Sequence, residues 1–261
     1  MNIGIIGAGN IGGAIAKGLA KAGCLAQEDI CLSDVNQNSL DNFSKDFPQA
    51  VTCSDNQRAA GADIVLVAVK PWLVEKVLNE IGRRLNSQQQ ILIVVAAGVS
   101  FEQIYSYLPA SCADMPCYRL IPNTAIAVRE SMSMFSAANT TPAQDESVLG
   151  MFRQLGAVML IPEDKMAAAT SLTSCGIAYA LRFIRASVEA AVEMGFYPSE
   201  ANAMLAQTVK GAAALLLNNQ STAEDEIDKV TTPGGITIRG LNEMEANGFT
   251  NSVIKGLKAS L

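Results

Sequence analysis

Asn2-Ile3-Gly4-Ile5-Ile6-Gly7-Ala8-Gly9-Asn10-Ile11-Gly12 reads as a short apolar strand that runs into a glycine turn and then opens a helix over Asn10 to Ala22. The three glycines of a G-x-G-x-x-G turn do different work. The first allows the tight turn, the second lets a pyrophosphate approach the backbone, and the third lets helix and strand pack closely. The bound anion then faces the positive end of the helix dipole. Such a motif alone is weak, since any glycine-rich loop can match it. The strand before it and the helix after it make it a dinucleotide fingerprint, with Gly7, Ala8, Gly9, Asn10, Ile11 and Gly12 as the contacts.

Outward from this turn the chain keeps a strand–helix rhythm. A second strand is expected at Ile30 to Ser33, and Ile64 to Val69 is a continuous apolar run of the kind buried on both faces of a parallel sheet. A helix from Trp72 to Leu85, a strand at Ile91 to Val95, and short strands at Met132 to Ser136 and Val158 to Ile161 follow, the last two separated by a helix after Pro142. This predicts an α/β class, with a Rossmann domain over 1–161 and an all-α domain over 162–261. In the second part alanine-rich helical periodicity is broken at Gly195 to Pro198, Asn218 to Thr222, Pro233 to Gly235 and Asn247 to Gly248, which predicts at least four helices and no sheet. Met166 to Met194 is apolar over much of its circumference. It belongs either in an oligomer interface or in the core of a monomeric bundle.

Composition removes whole classes of chemistry. The chain has 261 residues, 49% of them hydrophobic and 17% charged, enough to bury a large core. There is no histidine, so imidazole-based triads, His-ligated zinc and His general bases are excluded. The net charge of −6 with scattered Lys and Arg argues against nucleic acid as a partner. No apolar run approaches the ~20 residues of a membrane span, and the glycine-broken start does not resemble a signal peptide. The expectation is a cytoplasmic protein without a membrane partner. The six cysteines form no C-x-x-C pair or other metal-ligand pattern, and read as small buried hydrophobes in a reducing compartment.

Three further places carry chemistry. Asp34, at the end of the second strand, is positioned to accept from the adenosine ribose 2′-hydroxyl, which favours NADH because no Arg or Lys stands between it and Phe43. Its alternative role is to cap the next helix. Ala68-Val69-Lys70 ends a buried strand where α/β sheets place ligands, and Lys70 either meets an anion there or reaches into solvent. Thr232-Pro233-Gly234-Gly235 with Thr237 places free amides and hydroxyls just before a new helix, either as an anion nest for a small carboxylate or as an ordinary capped turn.

Along nearly its whole length the sequence resembles the pyrroline-5-carboxylate reductase family. The blocks are GIIGAGNIG at 4–12, ADIVLVAVKP at 62–71, VVAAGVS at 94–100, RLIPNTA at 119–125, AQTVKGAAALL at 206–216 and VTTPGGITI at 230–238. The resemblance implies NAD(P)H-dependent reduction of a carbon–nitrogen double bond in proline biosynthesis, with the family's NADPH set against the NADH that Asp34 favours. It implies that Asn56 joins the cofactor site and that Asn123 and Thr124 lie near the nicotinamide. It also implies that Thr232, Gly234 and Gly235 hold the imino acid's carboxylate, with Thr237 as the catalytic hydroxyl at the ring nitrogen. The loop is implied to come from a partner's helical domain, so that the protein is a homodimer at least, and a ring of dimers is the larger assembly the family admits.

The chain also departs from the family pattern. Thr173-Ser174-Cys175-Gly176-Ile177-Ala178-Tyr179 replaces SGSGPAY, Thr232 and Ile236 alter SPGGTT, and Gln220 and Glu226-Ile227 stand where a glutamate and a leucine-arginine pair are usual. Two rivals follow: a non-catalytic or divergent dinucleotide-binding paralogue, or a reductase of another small imine or β-hydroxy acid. The lysine on which β-hydroxyacid dehydrogenases rely is missing after Gly176.

Overall fold

A computed structural model describes all residues from Met1 to Leu261. The chain forms two compact units, Met1–Ser174 and Cys175–Leu261.

The first unit begins with β1 (Ile3–Ile6) and α1 (Asn10–Ala22), which stops at Gly23 in the left-handed conformation. Next come β2 (Ile30–Ser33), α2 (Gln37–Asp46), β3 (Val51–Cys53) and α3 (Asn56–Ala59). Then follow β4 (Ile64–Val67), α4 (Pro71–Ile81), β5 (Ile91–Val94), α5 (Phe101–Ser106) and β6 (Cys117–Ile121). The unit continues through β7 (Ser131–Ala138), α6 (Pro142–Arg153), β8 (Gly156–Leu160) and α7 (Met166–Ala169), and stops one residue short of the end of a π-helical turn over Thr170–Cys175. Local chemistry fixes several starts. Pro71 and Pro142 open α4 and α6, where a missing N–H costs nothing. Ser100 with Gln103, and Thr141 with Gln144, form reciprocal capping boxes.

The strands make one eight-stranded sheet in the order β3-β2-β1-β4-β5-β6-β7-β8. Every neighbouring pair is parallel except β6 with β7. Helices cover both faces. Ile15, Leu19, Leu40, Phe43 and Phe152 pack on one side with Ile5 and Leu32, and Val74, Leu78, Ile81 and Ile104 pack on the other with Val65 and Val67. Burying each such side chain contributes about 1.5–3 kcal/mol. Strand order reverses between β1 and β4, which is where open α/β sheets leave a crevice for ligands.

Two strands, β3 and β6, add to those expected from sequence, and the first compact unit runs on to Ser174 rather than ending at 161. The reason is physical: Glu163 pairs with Arg119 of β6 at 2.7 Å, and Met166 and Ala169 are buried with Ile121 and Met134. The helical run Glu163–Glu193 is also long and apolar enough to cross a membrane by length and composition, a match that contiguous apolar runs in the sequence did not reveal because alanines supply it.

The second unit is entirely helical: α8 (Gly176–Glu193), α9 (Pro198–Asn219), α10 (Ala223–Val230), α11 (Ile236–Ala246) and α12 (Phe249–Lys258). Helices α8 and α9 lie side by side, and Phe183 of α8 meets Phe249 of α12 edge-on with ring centroids 6.4 Å apart. Ala201 is the one buried residue in this unit, while Leu181, Met204, Leu217, Ile238 and Val253 are exposed.

The cysteines correct one expectation. Only Cys112 and Cys117 are buried; Cys24 is exposed because it follows the left-handed Gly23 that ends α1, and Cys31, Cys53 and Cys175 are half-buried. All six are free thiols.

Candidate active site

The turn between β1 and α1 is built for a close backbone approach. Gly7 adopts φ 107°, and a Cβ on Gly12 would stand 1.9 Å from the Gly7 carbonyl oxygen, so strand and helix meet only because both are glycine. Gly9 is different. At φ −68° it needs no special conformation, and a Cβ there would meet nothing within 4 Å. Helix α1 has no side-chain cap, and its first internal bond runs from Gly13 N–H to the Gly9 carbonyl. The N–H groups of Gly9, Asn10, Ile11 and Gly12 therefore lack helical acceptors. An open glycine beside unclaimed donors at a positive helix end fits a pyrophosphate.

Asp34 follows β2 directly. Its Oδ2 accepts from Ala8 N–H at 2.5 Å and its Oδ1 from Asn36 N–H at 2.8 Å. Asn36, not Asp34, caps α2, accepting from Asn38 N–H at 3.1 Å, so the capping role weighed for Asp34 falls to a neighbour. Asn56 reaches the same strand end. Its Oδ1 accepts from the buried Ser33 hydroxyl at 2.8 Å and its Nδ2 donates to Glu80 at 3.1 Å. Ser33 and Asp55, whose carboxylate caps α3, were not singled out from sequence.

Ala68 donates its N–H to the Ile6 carbonyl at 2.8 Å, which sets it beside the glycine turn, and Val69 lines the same place. Lys70 stands at the cap of α4, exposed and without an ion-pair partner, free to meet an anion. Farther along the sheet, Asn123 is buried after β6. Its Oδ1 accepts from Ala125 N–H at 3.0 Å and its Nδ2 donates to the Thr173 carbonyl at 3.0 Å. Thr124 beside it is exposed. The departure from the family pattern at 173–179 thus begins in a π-helical turn tied to Asn123, and such turns recur at functional places.

In the second unit, Gly235 N–H donates to the Thr232 carbonyl at 2.9 Å, Gly234 adopts φ 71°, and Gly235 caps α11 with no side chain bonded there. A Cβ on Gly235 would lie 2.6 Å from the Thr232 hydroxyl oxygen. Thr237 is in the first turn of α11, two residues after Gly235, and Thr232, Gly234 and Thr237 are all exposed. Nearby in sequence, Glu226 accepts from Lys229, Ser221 and Asn219, which together hold its carboxyl down at about 2.

Comparison with known proteins places the two halves of the chain in known families. Residues 163–261 match the family model for pyrroline-5-carboxylate reductase dimerisation, and residues 2–98 match the model described as NADP oxidoreductase, coenzyme F420-dependent. Pyrroline-5-carboxylate reductase 2 of Dictyostelium discoideum is 36% identical over 99% of this chain and 90% of its own length. The chain belongs to the pyrroline-5-carboxylate reductase family. Pyrroline-5-carboxylate reductase 1 of the same organism is 37% identical over 99% of this chain, which spans about half, 48%, of that relative's length. Among solved structures, the pyrroline carboxylate reductase of Plasmodium falciparum with NADP bound superposes with a TM-score of 0.88 at 25% identity, covering 100% of this chain and 95% of that one. Prephenate dehydrogenase of A. aeolicus, at 14% identity and a TM-score of 0.54, shares the fold alone.

Proposed function

We propose that this family member is an NAD(P)H-dependent reductase of 1-pyrroline-5-carboxylate that yields L-proline by hydride transfer to the C=N carbon. The observation that carries this reading is the pair of bare-amide ends in one chain: the α1 turn, shaped for a pyrophosphate, and the Thr232–Gly235 nest, shaped for a small carboxylate. When bound, reduced nicotinamide supplies the hydride.

The chain's own residues do the rest. Gly7 to Gly12 hold the pyrophosphate, Asp34 and Asn56 border the adenosine ribose, and Ala68, Val69 and Lys70 flank the phosphates. Asn123 and Thr124 bound the nicotinamide end. Thr232, Gly234 and Gly235 hold the substrate carboxylate, and the Thr237 hydroxyl oxygen accepts from the protonated ring nitrogen. A protonated imine is already electrophilic and needs no imidazole acid, so orientation supplies most of the rate. The chain's lack of histidine suits this chemistry.

A homodimer in which the nest comes from the partner, extended to a ring of dimers, is the assembly this reading favours, in a reducing cytoplasm where six free thiols remain unpaired. The test is oxidation of NADH and NADPH by purified protein with 1-pyrroline-5-carboxylate. Turnover is expected. Tight dinucleotide binding without turnover would instead identify a non-catalytic paralogue.

A further inference from the structure

We propose that this chain selects NADH over NADPH and that Asp34 is the discriminating residue, an inference that rests on the dinucleotide reading above. An acidic side chain at the end of the second strand bonds a ribose 2′-hydroxyl, whereas a 2′-phosphate needs a cation there. Asp34 is fixed at that place by two backbone donors, Ala8 N–H and Asn36 N–H. It cannot swing aside for a phosphate without giving up both bonds, and one of them tethers the glycine turn itself.

The surroundings supply no compensating cation on the loop. Residues 35–44 contain neither Lys nor Arg. The residue next to Asp34 is Val35, 92% exposed, an apolar side chain where a basic one would cradle a phosphate. Asn36 is spent on capping α2. Lys45 donates to Asn42, and Lys17 pairs with Asp46 at 3.1 Å. Asp55 and Glu80 add negative charge near Asn56; Arg58 of α3 is exposed two residues after Asn56, and the other exposed cations of the neighbouring helices are Lys21 of α1, Lys45 of α2 and Lys76 of α4. Arg58 and Asp55 act in opposite senses on the neighbouring Cys31 thiol, so this guanidinium has a carboxylate of opposite sign in its surroundings. Like charges in such proximity disfavour the phosphate, and a selectivity of at least about tenfold, ~1.4 kcal/mol, is expected.

The test measures dissociation constants for NADH and NADPH on the wild-type protein by calorimetry, with ADP-ribose and its 2′-phosphate as probes that lack the nicotinamide. NADH and ADP-ribose are expected to bind at least about tenfold tighter than their phosphorylated forms. Asp34→Ser should erase most of that difference. Val35→Arg, which leaves both Asp34 bonds intact, should tighten NADPH while NADH is unchanged, and it serves if Asp34→Ser does not fold. Equal or tighter NADPH binding by the wild type overturns the proposal. So does a ratio that survives Asp34→Ser, or NADPH affinity that Val35→Arg fails to raise. Failure of every probe to bind overturns the dinucleotide reading itself, a result distinct from failure of selectivity alone.

Discussion

Gly9 and Gly12, three residues apart, are glycines for opposite reasons, and single methyl groups separate them. Gly9→Ala meets no neighbour and no conformational strain, so stability should change by less than about 0.5 kcal/mol. The added methyl instead occupies the face open to the pyrophosphate, and dinucleotide affinity should drop. Gly12→Ala collides with the Gly7 carbonyl and should cost about 1–3 kcal/mol through backbone displacement. Urea melts beside dinucleotide titrations of both variants would show one losing binding with its fold intact and the other losing both. At the other end of the chemistry, Thr237→Ala should lower kcat/KM by about 5- to 150-fold, the worth of one hydrogen bond of ~1–3 kcal/mol, with dinucleotide affinity unchanged. Steady-state kinetics that match the wild type would remove Thr237 from the mechanism.

At the scale of elements, the pair between Arg119 on β6 and Glu163 before α7 fastens the end of the first unit to its sheet. Arg119 has only 9% of its side chain exposed and its Nε lacks a partner, while Glu163 is 38% exposed and also accepts from Phe101 N–H at 2.7 Å. Glu163→Ala strands a buried cation. With the carboxylate's partial exposure discounted, a loss of about 1–3 kcal/mol is expected in denaturant melts. A gentler effect belongs to α10. Because the Glu226 carboxyl is depressed to about 2 from an ordinary 4.5, its contribution is present above that ordinary value and fades as pH falls through about 2. Wild type and Glu226→Gln should therefore differ in hydrogen exchange across 219–230 at neutral pH and converge in acid.

These elements also mark where the sequence was readable. Strands β1, β2, β4 and β5 announce themselves as apolar runs because parallel strands are buried on both faces. β6 hides because Arg119 interrupts its run, and the carboxylate that makes that arginine tolerable lies 44 residues away. β3 is three residues long, too short for any period to show. The glycine turn and the 232–237 nest were legible, since local backbone demands write themselves into local composition. The tie from Asn123 to the Thr173 carbonyl was not, because it joins segments 50 residues apart.

For the molecule as a whole, the second unit poses the largest energetic question. Its helices carry a row of exposed leucines, valines and phenylalanines, and Ala201 alone is buried, so it lacks the apolar burial that offsets chain entropy. A second copy is the cover that the dimerisation family implies. The thermal midpoint should accordingly rise with protein concentration, and dilution should unfold the helical half rather than release a folded monomer. Circular dichroism over a hundredfold range of concentration, with sedimentation in parallel, would test this; a midpoint independent of concentration would refute it.

The same bare helices have a consequence for how the protein is born. The sheet half leaves the ribosome first and can close on its own sequence, as domains do during synthesis. If dilution unfolds the helical half as expected, that half waits on an encounter between two chains, and its maturation is second order in newly made protein. Low expression would thus leave molecules half finished, with their greasy helices offered to chaperones for as long as a mate is scarce.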